Sequence, residues 1–342
     1  MPGYIDIHQR RYLGNKAKLV NKIKKIIDCA CPNAKTFFDV FSGTGVVAAA
    51  FAPSMTVITN DILYANYVSN FAWLSPQSYS QSKIKHLIDK FNSFELEEEN
   101  YMSRTFGDTY FSRKTCKKIG FIREQIEYLC SRKLVNRKEK AILITALIYA
   151  MDRIANTVGH YDAYRKNGNR NGELFLKIPR KIKGLSRKNK CYCTDSNRLV
   201  HRIKADIAFL DPPYNSRQYA DNYHLLENVA RWNKPEVYGI ARKMDRSNIK
   251  SKYNTKKATK AFEDLVKNIH AHYIVLTYNN TGNKAHERSN AKISDEDIMR
   301  VLNKKGEVLV YSHSHRAFSA GLSQNDENVE RIFLCKVADR DG

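Results

Sequence analysis

The chain has 342 residues, and its hydrophobic content of 42% is enough for one large α/β domain with an insertion, or for two domains. Its 58 Lys and Arg against 35 Asp and Glu give a formal net charge of +23. This excess indicates a polyanionic partner, and favours nucleic acid over an anionic membrane or a merely soluble basic protein. The N terminus has no signal core, and the longest apolar run, from Ala141, is too short to span a bilayer. With an odd number of cysteines, these features predict a cytoplasmic protein with no membrane partner.

The first regular pattern is a strand, a glycine turn and a helix. Residues 36–51 read TFFDVFSGTGVVAAAF, in which the apolar start predicts a buried parallel strand and the end predicts a helix. Between them, Gly43 and Gly45 permit close approach of the backbone to a ligand. A second strand, residues 55–61, ends in Asp61 and precedes another helical pattern. The repetition predicts a doubly wound, mostly parallel sheet.

Between about residues 75 and 190 this alternation stops. Helical patterns lie near residues 80–92, 112–131 and 138–156, and a basic segment with interleaved tyrosines follows at 159–190. We expect residues 75–190 to form an inserted, mainly helical and basic domain. The predicted sheet domain is then divided into residues 1–74 and residues 191–342.

The strand patterns resume after the insertion. They lie at CYCTD (191–195), DIAFLD (206–211) and HYIVLTYNN (272–280). The final segments, 306–315 and 328–337, suit an antiparallel pair that closes the sheet. The predicted fold class is therefore α/β, with an antiparallel C-terminal strand pair on a doubly wound sheet.

Four carboxylates are expected at the carboxyl ends of strands, where open α/β sheets bind ligands. They are Asp39, Asp61, Asp195 and Asp211. Four like charges on one edge predict a ligand that is cationic or rich in hydroxyl groups. S-adenosylmethionine fits both descriptions, with its sulfonium, amino group, ribose and adenine. Asp61 is placed to accept hydrogen bonds from the ribose, although capping of the next helix is an alternative role.

The segment DPPY, residues 211–214, follows the apolar end of a strand, and its prolines stop any further ladder. The Asp211 carboxylate and the Pro212 carbonyl could accept both N–H bonds of an adenine amino group, with Pro213 fixing the backbone. Tyr214 offers a face on which the base can stack. The base must first be flipped out of the duplex. This chemistry needs no metal. The alternative is a simple turn with a capping Asp and a core Tyr.

Together, these motifs resemble the Dam-type, alpha-group adenine-specific DNA methyltransferases. The matching segments are RYLGNKAKL (11–19), DVFSGTGVVA (39–48), TND (59–61), the Asp of CYCTD and FLDPPY (209–214). The resemblance implies a seven-stranded methyltransferase sheet, S-adenosylmethionine as cofactor, and methyl transfer to adenine in a specific duplex DNA sequence. The longer motif DPPYNSRQY, followed by NYH, is similar to members from restriction-modification systems. It implies a cognate restriction endonuclease as a second partner.

The resemblance also assigns roles to individual residues. Tyr12 and Lys16 would close over the cofactor, with Lys16 at its methionine carboxylate, and Asp195 would take the adenine amino group. The predicted cofactor residues are Tyr12, Lys16, Asp39, Phe41, Gly43, Gly45, Asp61 and Asp195. The predicted DNA contacts are His160, Tyr161, Tyr164, Arg165, Lys166, Arg217, Tyr219 and Tyr223. Packing on the sheet is the alternative for the last two, and a solvated loop for residues 160–166.

Two other functions remain open at this point. An RNA adenine methyltransferase would also use basic loops and aromatic side chains. A catalytically inactive, DNA-binding specificity subunit would keep the same charge. A protein-glutamine methyltransferase is expected to show NPPY rather than DPPY. If the chain is a DNA methyltransferase, we expect a bacterial or phage-type protein that is associated with the nucleoid.

Overall fold

The computed structural model describes residues 3–95, 97–166, 168, 170, 172–213, 217–279, 293–315 and 328–338, without the side chains of 279, 313–315 and 328–330. Its strands are β1 (Tyr4–Ile5), β2 (Thr36–Asp39), β3 (Thr56–Asn60), β4 (Ile178–Pro179), β5 (Lys190–Tyr192), β6 (Lys204–Leu210), β7 (His270–Asn279), β8 (Gly306–His315) and β9 (Asn328–Val337). Seven of them form one sheet in the order β5-β3-β2-β6-β7-β9-β8. The first five strands in this order, β5, β3, β2, β6 and β7, are parallel to one another. Strand β9 is antiparallel to both of its neighbours, β7 and β8. The predicted α/β class, with its antiparallel C-terminal pair, is confirmed.

The helices cover both faces of the sheet. They are α1 (Val20–Ala30), α2 (Val46–Phe51), α3 (Tyr64–Leu74), α4 (Gln81–Ser93), α5 (Tyr101–Phe106), α6 (Arg113–Ser131), α7 (Arg137–Ile154), α8 (Ser196–Leu199), α9 (Tyr219–Asn222), α10 (His224–Arg231), α11 (Ala258–Asn268) and α12 (Asp295–Asn303). None of these helices is both long and apolar enough to cross a membrane, within the residues described.

The alternation of side chains along β6 shows how the two faces are buried. Ile207 and Phe209 belong to one hydrophobic cluster with α1–α3 and α10, whereas Ala208 and Leu210 belong to a second cluster with α8, α11 and α12. Helices α4–α7 share the first cluster. In the described residues, the helical segment therefore shares the sheet's core and is not a separately packed unit. The domain boundaries at residues 75 and 190 remain a prediction.

The basic segment 159–190 does not stay in one place. Tyr161 lies beside α9, because its amide donates a hydrogen bond to the Asn222 carbonyl at 2.6 Å. The other end pairs with β1 at β4, and Asn189 accepts a hydrogen bond from the Val57 amide near the start of β3. The segment therefore runs from the carboxyl edge of the sheet to its amino edge.

Candidate active site

A cleft with an empty volume of about 970 Å³ lies at the carboxyl edge of the sheet. All four predicted carboxylates line it. Asp39 ends β2, Asp61 follows β3, Asp195 follows β5 and Asp211 follows β6. Since β5, β3, β2 and β6 are neighbours in the sheet, the topology brings together four residues that are far apart in the sequence.

The glycine turn between β2 and α2 forms one wall. Gly43 has a φ of +50°, lines the cleft and donates its amide to Asp61 Oδ2 at 2.9 Å. A Cβ added to Gly43 would meet the Tyr12 ring at 3.3 Å. Gly45 is not among the residues that line the cleft, and its predicted role at the cofactor stays a prediction. Its φ is +80°, and a Cβ there would lie 1.9 Å from Asn70 Oδ1, so this glycine admits a packed side chain behind the turn.

Burial shapes the charge of the two carboxylates beside this turn. Asp39 is 1% exposed, and the pKa of its carboxyl is raised well above the ordinary value by burial and then by the charge of Asp211. Its Oδ1 accepts no hydrogen bond from any described residue. Burial also raises the pKa of Asp61 to about 6, against the hydrogen bonds from the amides of Leu63 and Gly43. Both sites favour a ligand that brings positive charge or hydrogen-bond donors.

Asp211 is held by two side chains. Its Oδ1 lies 3.1 Å from Lys16 Nζ and accepts a hydrogen bond from Thr277 Oγ1 at 2.9 Å. Lys16 is 5% exposed, lines the cleft and is paired with Asp211, and its predicted contact with a cofactor stays a prediction. Pro212 and Pro213 line the same cleft, and Tyr214 lies outside the described residues.

Three tyrosines lock the N-terminal segment onto this wall. The Tyr12 ring stacks on Tyr223 at 4.6 Å and on Tyr219 at 5.4 Å between centroids. The Tyr223 hydroxyl accepts the Leu13 amide at 2.7 Å, and the Tyr219 hydroxyl donates to the Leu13 carbonyl at 3.2 Å. Tyr12 and Tyr219 line the cleft, whereas Tyr223 is 0% exposed.

A buried ion pair links this tyrosine stack to helix α7. The Arg10 guanidinium donates to Asp152 at 3.3 Å and to Asn66 Oδ1 at 2.8 Å, and it lies 5.3 Å from the centre of the Tyr12 ring. Asp152 also accepts the Tyr161 hydroxyl at 2.8 Å. The loop that begins at residue 159 is thereby fixed to the wall of the cleft.

The predicted DNA contacts divide into interior and surface residues. Tyr161 and Tyr223 are buried, so neither can contact DNA in this structure, and we correct both to packing and positioning roles. Tyr164 is half-buried against the Tyr110 ring. The surface group is Arg165, Lys166 and Arg217, with His160 half-buried beside them. Burial lowers the pKa of His160; the charge of Asp162 opposes this effect, and the charge of Arg217 adds to it.

Several cleft residues carry no signal that sequence reasoning used. Tyr253, Gln218, Ile249 and Ser251 line the cleft. The ring of Tyr253 meets that of Phe41 edge to face at 5.0 Å, and its hydroxyl donates to Asn197 at 2.9 Å. Ile249, Ser251 and Tyr253 lie in a polar stretch without a motif, and Gln218 lies in DPPYNSRQY without an assigned role. Thr277 lies in the strand pattern HYIVLTYNN, for which the sequence indicated no functional role.

Comparison with known proteins decides the family. The model of the D12 class N6 adenine-specific DNA methyltransferases matches residues 12–280. The chain belongs to this family. The family that the motifs predicted is thus confirmed, and the methyltransferase fold is the one observed in the sheet.

Named relatives of this D12 class chain are modification enzymes. It is 37% identical to Modification methylase StsI of Streptococcus sanguinis over 94% of this chain and 51% of the relative. It is 32% identical to Type II methyltransferase M.FokI of Planomicrobium okeanokoites over 94% and 52%. Identity to Type II methyltransferase M.NlaIII of Neisseria lactamica is 30% over 92% and 94%. The chain therefore spans about half the length of the first two relatives and nearly all of the third.

Asp39→Asn should stabilise the ligand-free D12 class chain at pH 7.5 by roughly 1–3 kcal/mol, because it removes a buried charge that lacks a full set of partners. The raised pKa means that the Asp39 contribution to stability is present below the ordinary Asp pKa of about 3.8 and is lost as pH rises through the folded value. Urea unfolding between pH 4 and pH 8 measures this. Asp89→Asn, on the exposed side of α4, is the control and should change little. Equal effects of the two variants would contradict a specific destabilising charge at Asp39.

Arg10→Met should destabilise the protein by roughly 3–5 kcal/mol, because it leaves Asp152 buried without its cation. Arg10→Met/Asp152→Asn should lose much less than the sum of the two single losses, as measured by denaturant unfolding. Arg300→Met, which removes one side of an exposed pair with Glu263, should change the free energy of unfolding little, because solvent screens an exposed pair. Additive losses at Arg10 and Asp152 would show that the pair is not coupled.

Proposed function

We propose that this chain transfers a methyl group from S-adenosylmethionine to the exocyclic amino group of a flipped-out adenine in a specific duplex DNA sequence. We also propose that it is the modification half of a restriction-modification system, with a cognate endonuclease that acts on the same site in the bacterial cytoplasm. One observation carries the proposal: Asp211, followed by Pro212 and Pro213, lies in one cleft with three other carboxylates and a glycine turn.

The cleft fits the cofactor by the chemistry of its donors and acceptors. Asp39 is buried and has one oxygen that accepts no hydrogen bond from a described residue, so it suits the cationic methionine end. Asp61 suits the ribose hydroxyls, since each carboxylate oxygen can accept more than one hydrogen bond. Phe41 and Tyr253 offer an aromatic wall, with Asp195 nearby, for the adenine. Gly43 leaves room for close approach, and Tyr12 covers the turn.

When bound, S-adenosylmethionine supplies an electrophilic methyl group on its sulfonium. The chain's own task is to make the target amino nitrogen nucleophilic. The Asp211 carboxylate and the Pro212 carbonyl accept its two N–H bonds, which favours a pyramidal nitrogen with an available lone pair. Thr277 and Lys16 keep the carboxylate in a defined orientation, and the two prolines keep the carbonyl in place. The methylated nitrogen then loses one proton, for which Asp211 is an adjacent acceptor.

The surface near the cleft suits the DNA backbone. Arg165 and Lys166 are exposed in the loop that Tyr161 anchors, and Arg217 is exposed beyond the prolines. Such side chains neutralise phosphates and position the duplex. Tyr219 lines the cleft, which supports a contact with the extruded base. The family description names DNA, which favours DNA over the RNA alternative.

The first test is methylation of unmethylated genomic DNA with S-adenosylmethionine, read by sequencing the positions of N6-methyladenine. Asp211→Asn keeps the shape of the side chain but should lower kcat by roughly 10²–10³-fold, because a charged acceptor of the amino group is lost. The control Asp89→Asn should retain wild-type kcat. Binding of labelled S-adenosylmethionine should survive in both variants. Full activity of Asp211→Asn, or transfer by wild type to RNA alone, would refute the proposal.

The second test concerns the proposed DNA surface. Arg165→Ala/Lys166→Ala should weaken duplex binding and reduce the slope of log K against log salt by about 2, since each cation neutralises one phosphate. Fluorescence anisotropy across a salt series measures this. Lys260→Ala/Lys267→Ala removes the same charge from exposed positions on α11 and is the control. If both double variants reduce the slope equally, general net charge and not this loop binds DNA.

A further inference from the structure

A second, larger cleft lies at the opposite edge of the sheet. Its empty volume is about 1250 Å³, and it is lined by residues from the end of α3, the segment 75–79, the start of α7 and the segment 179–187. Two contacts fix the end of this last segment at the start of β3. Asn189 accepts a hydrogen bond from the Val57 amide, and the Ser186 hydroxyl contacts the Thr56 hydroxyl. This amino edge is remote from the acidic cleft at the carboxyl edge.

The length of α7 separates the two clefts. Lys138, in the first turn of α7, lines the second cleft, whereas Asp152, in its last turn, holds the loop beside the acidic cleft. At 1.5 Å per residue, these positions lie roughly 21 Å apart along the helix axis. One rigid helix thus spans the distance between the two sites.

The lining of this cleft is strongly basic. Its cationic residues are Lys138, Arg180, Lys181, Lys183 and Arg187, and none of the described residues that line it is Asp or Glu. Arg180 is partly neutralised by Asp6 at 2.8 Å. Lys181, Lys183 and Arg187 are exposed, and they form no ion pair with any carboxylate in the described ranges. Three exposed cations therefore line a concave surface.

Lys138 adds a buried cation at the base. It is 3% exposed, and among the described residues its ammonium donates to the Ser75 carbonyl, at 2.6 Å. An ammonium has three donors, so an anion in the cleft would supply acceptors that the described residues do not. Burial, together with the smaller effect of the charge of Lys181, lowers the pKa of Lys138 to about 8. A bound anion would relieve both effects.

We propose that this second cleft binds backbone phosphates of duplex DNA outside the segment that carries the target adenine. The proposal rests on the proposed function, because a DNA-modifying enzyme meets long DNA at high local concentration. The basic surface supplies sequence-independent affinity, which depends on the number of phosphates neutralised. A short duplex that fills the acidic cleft leaves the second cleft free for another duplex.

The test counts short duplexes bound to each protein. Wild type, at low salt, should bind two non-cognate duplexes of about 12 base pairs, as measured by isothermal titration and analytical ultracentrifugation. The variant Lys181→Ser/Lys183→Ser/Arg187→Ser should bind one, with kcat for methyl transfer to a short cognate duplex unchanged. The control Lys25→Ser/Lys260→Ser/Lys267→Ser loses the same charge from exposed positions elsewhere and should still bind two.

Three outcomes would overturn the proposal: a single duplex on wild type, two duplexes on the cleft variant, or the same loss in the control variant. A second experiment with lipid vesicles distinguishes DNA from a membrane surface as the ligand of this cleft. If the cleft variant loses sedimentation with phosphatidylserine vesicles but keeps two duplexes, the ligand is a lipid headgroup and the proposal fails. The stoichiometry does not depend on methyl transfer, so an inactive wild type would refute the proposed function and leave this test intact.

Discussion

Four carboxylates at one edge of a parallel sheet are the constraint on which the site depends. Asp39, Asp61, Asp195 and Asp211 share one cleft, and burial raises the pKa values of the first two. Like charges in a partly dry cleft oppose folding unless hydrogen bonds or cations compensate them. The protein compensates with backbone amides at Asp61 and with Lys16 at Asp211. Asp39 keeps one oxygen, Oδ1, that accepts no hydrogen bond from a described residue, and a cationic ligand would supply a partner.

The wall of this cleft is held from a distance. Tyr12 stacks on Tyr219 and Tyr223, and Arg10 connects the stack to Asp152 at the end of α7. The Arg10–Asp152 pair is buried. Its attraction and hydrogen bonds offset the cost of desolvation only while both side chains keep their positions. This requirement makes the cleft, the first part of the basic loop and α7 one mechanical unit.

The distribution of charge complements this arrangement. Acidic side chains gather at the carboxyl edge of the sheet, and basic ones lie around it and at the amino edge. A net charge of +23 thus coexists with an acidic site, since the acidic and the basic side chains occupy different surfaces. Long-range attraction brings a polyanion to the protein, while the local acidic field selects cationic or hydroxyl-rich groups within the cleft.

The sequence by itself determined the segments that form the seven strands of the main sheet, the four carboxylates at strand ends and the family. Hydrophobic periodicity and the motifs FSGTG and DPPY act over a few residues, so they can be read directly. Three of the helices between residues 81 and 154 were also predicted, but the six-residue α5 was missed because so short a segment shows little periodicity.

Only the tertiary structure decided which neighbours these residues have. Tyr223 bonds Leu13 across 210 positions, and no local pattern distinguishes that buried tyrosine from one that contacts DNA. Likewise, the basic segment 159–190 looked uniform, yet its two ends lie at opposite edges of the sheet. Tyr253 came to the cleft from a polar segment without a motif. Burial and pairing depend on contacts between distant parts of the chain, and these are fixed by packing of the whole fold.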